Sequence, residues 1–344
     1  MSIAKLTWTP STTDLLGLYG LWLEANGEAL ISNLAGVLMR SLDHGRTWTR
    51  VPVGNRWGLG AVARSPEGEI LIACTGGRLL SSTDDGASWK TTQLGHKSSL
   101  HHIGFREGLT VVSGCDRVAW RRKSNEPWQE AKLPKIPWAR GACIDTSGRA
   151  FVGIDSLYKA KPRAEIFVLD SGDSEWRSCV TWNQGRLCGP FTSGRELVAL
   201  GEQGFVARSD DGGSTWKESK SSGSENFSAG CFVGSRLFAG TEEGAVLCSD
   251  DFGESWTLLL ATGSGPDQIT RIVSDGSDLV LVTCDLGVFR GVSAAFAAKE
   301  AKLNPSSASE SDSPTDPSRP TRPRRKQPNA EPTRARRGRK QESK

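Results

Sequence analysis

Ser209-Asp-Asp-Gly-Gly-Ser-Thr-Trp216 is the stretch on which the fold turns, because its frame S-x-D-x-G-x-[S/T]-W returns three more times. The other copies are Ser41-Leu-Asp-His-Gly-Arg-Thr-Trp48, Ser82-Thr-Asp-Asp-Gly-Ala-Ser-Trp89 and Ser249-Asp-Asp-Phe-Gly-Glu-Ser-Trp256. Ser124-Asn-Glu-Pro-Trp128 and Asp170-Ser-Gly-Asp-Ser-Glu-Trp176 fall where two worn copies are due, between the second and third good ones. With Trp8 added, the phased tryptophans stand at 8, 48, 89, 128, 176, 216 and 256, spaced by 40, 41, 39, 48, 40 and 40 residues. The one long interval has a local cause, an insertion near Ser156 to Ala164. Self-similarity at such a period means stacked or radial repeats rather than one irregular domain.

Each unit reads as apolar strand, Gly turn, second strand, Gly-containing hairpin, third strand, box, and a fourth strand carrying the Trp. Four short antiparallel strands in about 40 residues make one blade of a β-propeller. The box has a physical logic. Its Asp can accept hydrogen bonds from N–H groups of its own turn, and its Gly can take a positive φ. The Trp then fills the gap between blades, which accounts for twelve Trp beside two Tyr.

After Trp256 only three strands remain, near Ile269 to Ser274, Asp278 to Cys284 and Gly287 to Gly291. The missing fourth is Lys5 to Thr9, whose Trp8 keeps the phase. The fold expected is therefore all-β, a seven-bladed propeller of four-stranded antiparallel blades over residues 1–291, closed by the N-terminal strand. Residues 292–303 read as a short helix or linker, and 304–344 as a disordered, Pro/Ser/Arg-rich basic tail.

The boxes resemble the Asp-box, or BNR, repeat of sialidase-like propellers. The segment from Gly201 to Trp216 looks most like the photosystem II stability/assembly-factor type of seven-bladed propeller, a non-enzymatic assembly helper. The resemblance covers residues 1 to about 291 and implies the fold. In such families the box lies on blade-edge hairpins away from a catalytic face. A sialidase would need an Arg-Ile-Pro motif, which does not occur, and a Tyr nucleophile, for which Tyr19 in the first strand and Tyr158 in the insertion are poorly placed.

Composition narrows the class further. No run approaches the ~18 apolar residues of a membrane helix, and the first residues lack the apolar core of a signal peptide, so a cytoplasmic protein without membrane contact is expected. The eight Cys form no CxxC pair and read as small, reduced core residues. Four His without ligand-like spacing make zinc at His101 and His102 a poor fit, and no cofactor is expected. The net charge of +4 hides an asymmetry: residues 319–344 carry +9, leaving −5 on the rest.

Candidate sites follow from topology. The loops into the innermost strands and the hairpins joining second and third strands share one face. There stand Arg56, Trp57, His101, Trp138, Arg140, Trp182, Arg186 and Arg271, together an aromatic and basic mouth suited to an acidic peptide, a phosphate or a sugar ring. Taken singly, each Trp can equally fill an inter-blade gap and each Arg can be a solvated loop residue. Glu202, Glu242, Glu243 and Asp285 recur at one hairpin position; they could serve a glycosidase, or simply form turns. In the tail, Arg322, Arg324, Arg325 and Lys326, with Arg334, Arg336, Arg337, Arg339 and Lys340, suit a nucleic acid or other polyanion, or merely solubility. The expectation is a monomeric, non-enzymatic scaffold with a protein partner on the propeller face and polyanion affinity in the tail. The alternatives are a glycan-binding or glycoside-hydrolysing propeller, and a nucleic-acid accessory protein.

Overall fold

The computed structural model describes residues 6–11, 17–54, 57–133, 138–156, 162–221, 223–261, 268–276, 279–284, 287–293 and 297. They form seven four-stranded antiparallel sheets, numbered here as blades 1 to 7. The innermost strands of blades 1 to 7 are Leu18–Leu23, Leu59–Arg64, Leu100–Arg106, Trp138–Ile144, Leu187–Ser193, Phe227–Val233 and Ile269–Ser274. Every innermost strand begins on one face, here called upper, where the hairpins between second and third strands also lie. The turns carrying the boxes lie on the lower face.

Blade 7 closes as the tryptophan phase requires. Its strand order puts Thr7–Ser11 outside Gly287–Val292, with Trp8 opposite Gly291. The third strand thus runs one residue past the expected limit of 291. Ser11 extends the closure to blade 1: its Oγ donates to the Gly45 carbonyl and accepts from Trp48 Nε1 at 2.7 Å. Arg290 adds a bond to the His44 carbonyl at 2.9 Å. The last blade thus gains its fourth strand from the start of the chain, and that seam is tied to blade 1.

Each of the seven junctions between neighbouring blades has its own apolar cluster, and each is packed by one phased tryptophan. Trp48 packs where Leu21 and Ile31 of blade 1 meet Leu279 and Leu281 of blade 7. Trp8, Trp89, Trp128, Trp176, Trp216 and Trp256 take the same place at the other junctions. The phased tryptophans are therefore packing material.

The box turns are built alike. In the first, Ser41 Oγ donates to Asp43 at 2.7 Å and accepts from Gly45 N at 2.9 Å, while Asp43 accepts from the N–H groups of Arg46 and Thr47. Two successive left-handed residues, His44 (φ 60°) and Gly45 (φ 76°), make the turn possible. Asp84, Asp211 and Asp251 repeat the bonding. Hydrogen bonds from Ser88 hold Asp84 down at about 2, far below an ordinary carboxyl. In blade 3 the Ser position is filled by Arg121, whose guanidinium stacks 4.6 Å from the Trp128 ring and pairs with Glu69 of blade 2.

Near its start, every innermost strand loses register with its neighbour once. The slips lie between Leu18 and Gly20, Leu59 and Val62, Leu100 and His102, Ala139 and Gly141, Cys188 and Phe191, Phe227 and Ala229, and Ile269 and Arg271. A bulge bends the strand and frees a carbonyl. The next or previous blade then supplies a donor: His102 Nε2 to the Ala139 carbonyl at 3.2 Å, Ser228 Oγ to Ile269 at 2.7 Å, and Thr270 Oγ1 to Leu18 at 3.0 Å. Strands also crowd at the axis; a Cβ on Gly20 would lie 2.5 Å from the Gly60 carbonyl, and one on Gly60 2.6 Å from that of Leu100.

Candidate functional site

The bulges decide which side chains meet on the channel axis. Tyr19, His101 and Arg140 are the bulged residues of blades 1, 3 and 4, and a bulge re-aims its side chain out of the blade. His101 stands between Tyr19, with ring centres 5.5 Å apart, and Trp138, 6.0 Å away and nearly parallel. Arg271 of blade 7 reaches the same point: its guanidinium lies 5.3 Å from the Tyr19 ring and donates to the His101 carbonyl at 3.1 Å. Arg140 lies 5.9 Å from the Trp138 ring. Four blades thus contribute to one cluster, which includes four of the expected residues: His101, Trp138, Arg140 and Arg271.

Its electrostatics are lopsided. Arg140 is held by Asp155 through Nε at 2.5 Å and Nη2 at 3.2 Å, and the buried Asp155 also accepts from Leu187 N in blade 5. That cation is compensated. Among the described residues Arg271 bonds only to carbonyl oxygens, those of Thr270 and His101. Burial, reinforced by the Arg271 and Arg140 charges, lowers the His101 pKa to about 4, and burial with Arg271 drives that of His102 well down. Both imidazoles are therefore neutral at neutral pH. Burial also pushes the Cys188 and Cys231 thiols up to about 12 and raises Cys143, so none of these is a nucleophilic thiolate.

The remaining expected residues do not join this cluster. Trp57 packs at the junction of blades 1 and 2, with Arg78 4.7 Å from its ring. Arg186 is clamped by Glu202 and Glu242, hairpin acids of blades 5 and 6. Trp182 is a correction: it ends the outermost strand of blade 4, is 5% exposed, and meets Phe205 and Trp216 edge-on inside the core. It is packing, not part of a mouth. Arg56, Asp285 and all the basic residues of the tail lie outside the described residues. Glu243 accepts from Asn226 Nδ2 at 2.9 Å.

Tyr19 and Arg78 are the participants that sequence reasoning passed over. Tyr19 was legible only as a strand residue, although it follows Leu18 as His101 follows Leu100. Among the described residues no group of three or more His, Cys, Asp or Glu could hold a metal ion, and no helix is long and apolar enough to cross a membrane.

No family model and no curated protein matches the sequence. Solved structures do match in fold. A structure of YCF48 bound to D1 peptide is 17% identical, with a TM-score of 0.65, covering 85% of this chain and 96% of that one. YCF48 from Cyanidioschyzon merolae is 13% identical with a TM-score of 0.65, over 83% and 98% of the two chains. A catalytically inactive virginiamycin B lyase from Staphylococcus aureus with quinupristin is 13% identical with a TM-score of 0.68, over 84% and 99%. At these identities the likeness is one of fold.

Proposed function

We propose that this chain is a cytoplasmic, non-enzymatic scaffold that holds a protein partner against the upper face of its propeller, its basic tail adding affinity for a polyanion. The observation that carries the reading is the recurrence of cation–aromatic pairs toward that face: Arg78 on Trp57, Arg140 near Trp138 and Arg271 on Tyr19. Paired planar groups of this kind make rigid, low-entropy anchors for an acidic partner. The solved YCF48 complex offers a precedent for a peptide on a propeller of this fold. Against hydrolysis, Glu202 and Glu242, two of the recurrent hairpin acids, are both engaged by Arg186 rather than poised across a cleft.

Affinity capture from the native host tests this with three proteins: the full chain, a chain ending at residue 303, and Arg78→Glu/Lys97→Glu, Lys97 being an exposed cation in the loop that enters the innermost strand of blade 3. The double variant loses the propeller partner. The truncated chain keeps that partner and loses salt-sensitive nucleic acid or other polyanion. Partners indifferent to the double variant would reject the upper face. Hydrolysis of any glycoside in a broad panel, abolished by Glu202→Gln or Glu242→Gln, would reject the non-enzymatic reading.

A further inference from the structure

Below the Tyr19–His101–Trp138 stack the central channel opens into a cavity of about 310 Å³, lined by the innermost strands of all seven blades. That volume falls at the small end of small-molecule sites, ~300–1,000 Å³. Its lining combines the polar His102, Arg140 and Arg271 with the apolar Ile103, Phe191, Phe232 and Ile272.

Among the described residues these cations are incompletely compensated. Arg140 is matched by Asp155, but among the described residues no carboxylate reaches the Arg271 guanidinium, which donates at 2.8 Å to Thr270 and 3.1 Å to His101 carbonyls. A desolvated cation without a counter-ion is costly. Burial lowers its pKa from the usual 12.5, opposed only by Tyr19 and Cys188, and a guanidinium there stays protonated.

We propose that this channel binds a small amphipathic monoanion, a carboxylate on an aliphatic or aryl body, its head paired with Arg271 and its body against Ile103, Phe191, Phe232 and Ile272. One uncompensated charge calls for one negative charge. With the imidazoles and thiols neutral, a dianion would exchange an unpaired cation for an unpaired anion. A carboxylate also matches the planar fork of the guanidinium, and four apolar side chains have no use for a bare inorganic ion. The site shares Arg140 and Arg271 with the proposed partner face, but it is read out by binding of a small monoanion rather than by capture of a partner, so failure of one reading is distinguishable from failure of the other.

Isothermal titration calorimetry of the full chain with octanoate, octanol and octylamine tests the assignment. Octanoate binds at one site per chain, at least about tenfold more tightly than octanol, and octylammonium does not bind; tenfold is a modest demand for one charge-assisted pair. Arg271→Gln, with folding verified by its melting curve, removes the preference of octanoate over octanol. Should that variant fail to fold, Ile103→Glu tests the same point: a resident carboxylate in the cavity abolishes octanoate binding. Octanoate that fails to bind at millimolar concentration, octanoate and octanol binding within twofold of each other, or a folded Arg271→Gln or Ile103→Glu protein that keeps the octanoate preference would overturn the proposal.

Discussion

Replacing Trp8 by Ala probes ring closure at its seam. Trp8 sits on the outermost strand of blade 7, packs against the cluster of Ala229, Phe238, Ile272 and Val280, and faces Gly291 so closely that a Cβ there would lie 2.8 Å from the indole. A fully buried Trp reduced to Ala costs ~3–5 kcal/mol. Trp8 is half-buried and among the described residues its Nε1 has no hydrogen-bond partner, so the loss is roughly half of that, about 2 kcal/mol. Scaled to a domain of this size, that lowers the melting temperature by about 3 °C. Urea unfolding measured by tryptophan fluorescence and by circular dichroism would show a lower midpoint with an unchanged slope, because the seam is part of one cooperative ring. A shift below about 0.5 kcal/mol, within the range of ordinary surface substitutions, would refute the claim that the N-terminal strand locks the propeller. So would two probes that no longer coincide, which would mean blade 7 opens by itself.

Two further outcomes follow from the buried and turn carboxylates. Asp155→Asn breaks the pair with Arg140 and weakens its bond to Leu187 N; it destabilises the protein by about 3 kcal/mol in chemical denaturation. Asp84 has a folded-state pKa of about 2 against an ordinary 3.8, so its contribution is present above pH 4 and is lost as pH falls towards 2. Urea midpoints of wild type and Asp84→Asn therefore differ at pH 6 and converge near pH 2.

The propeller was legible because its punctuation is local. Ser, Asp and Gly at fixed offsets make a turn without help from elsewhere, and the following Trp keeps its phase even in the worn copies ending at Trp128 and Trp176. Closure was legible for the same reason, since Trp8 has no other blade to serve. The site was less so. Which side chains reach the axis depends on a one- or two-residue slip near the start of each innermost strand, and no sequence period records it. Tyr19 therefore looked like an ordinary strand residue, while Trp182 looked like a loop residue but pairs with Ala164 at the end of its strand and is buried. Glu202 and Glu242 were visible as recurrent hairpin acids, but their shared partner Arg186 comes from a loop that only the ring geometry brings to them.

Hydrogen–deuterium exchange on the captured complex tests the upper-face account most directly. Bound partner is predicted to slow exchange at the upper-face segments 75–78, 96–98 and 184–187, while the box turns at 43–47 and 211–215 exchange as in the free protein. Protection confined to the box turns, with the upper-face segments unchanged, would contradict it.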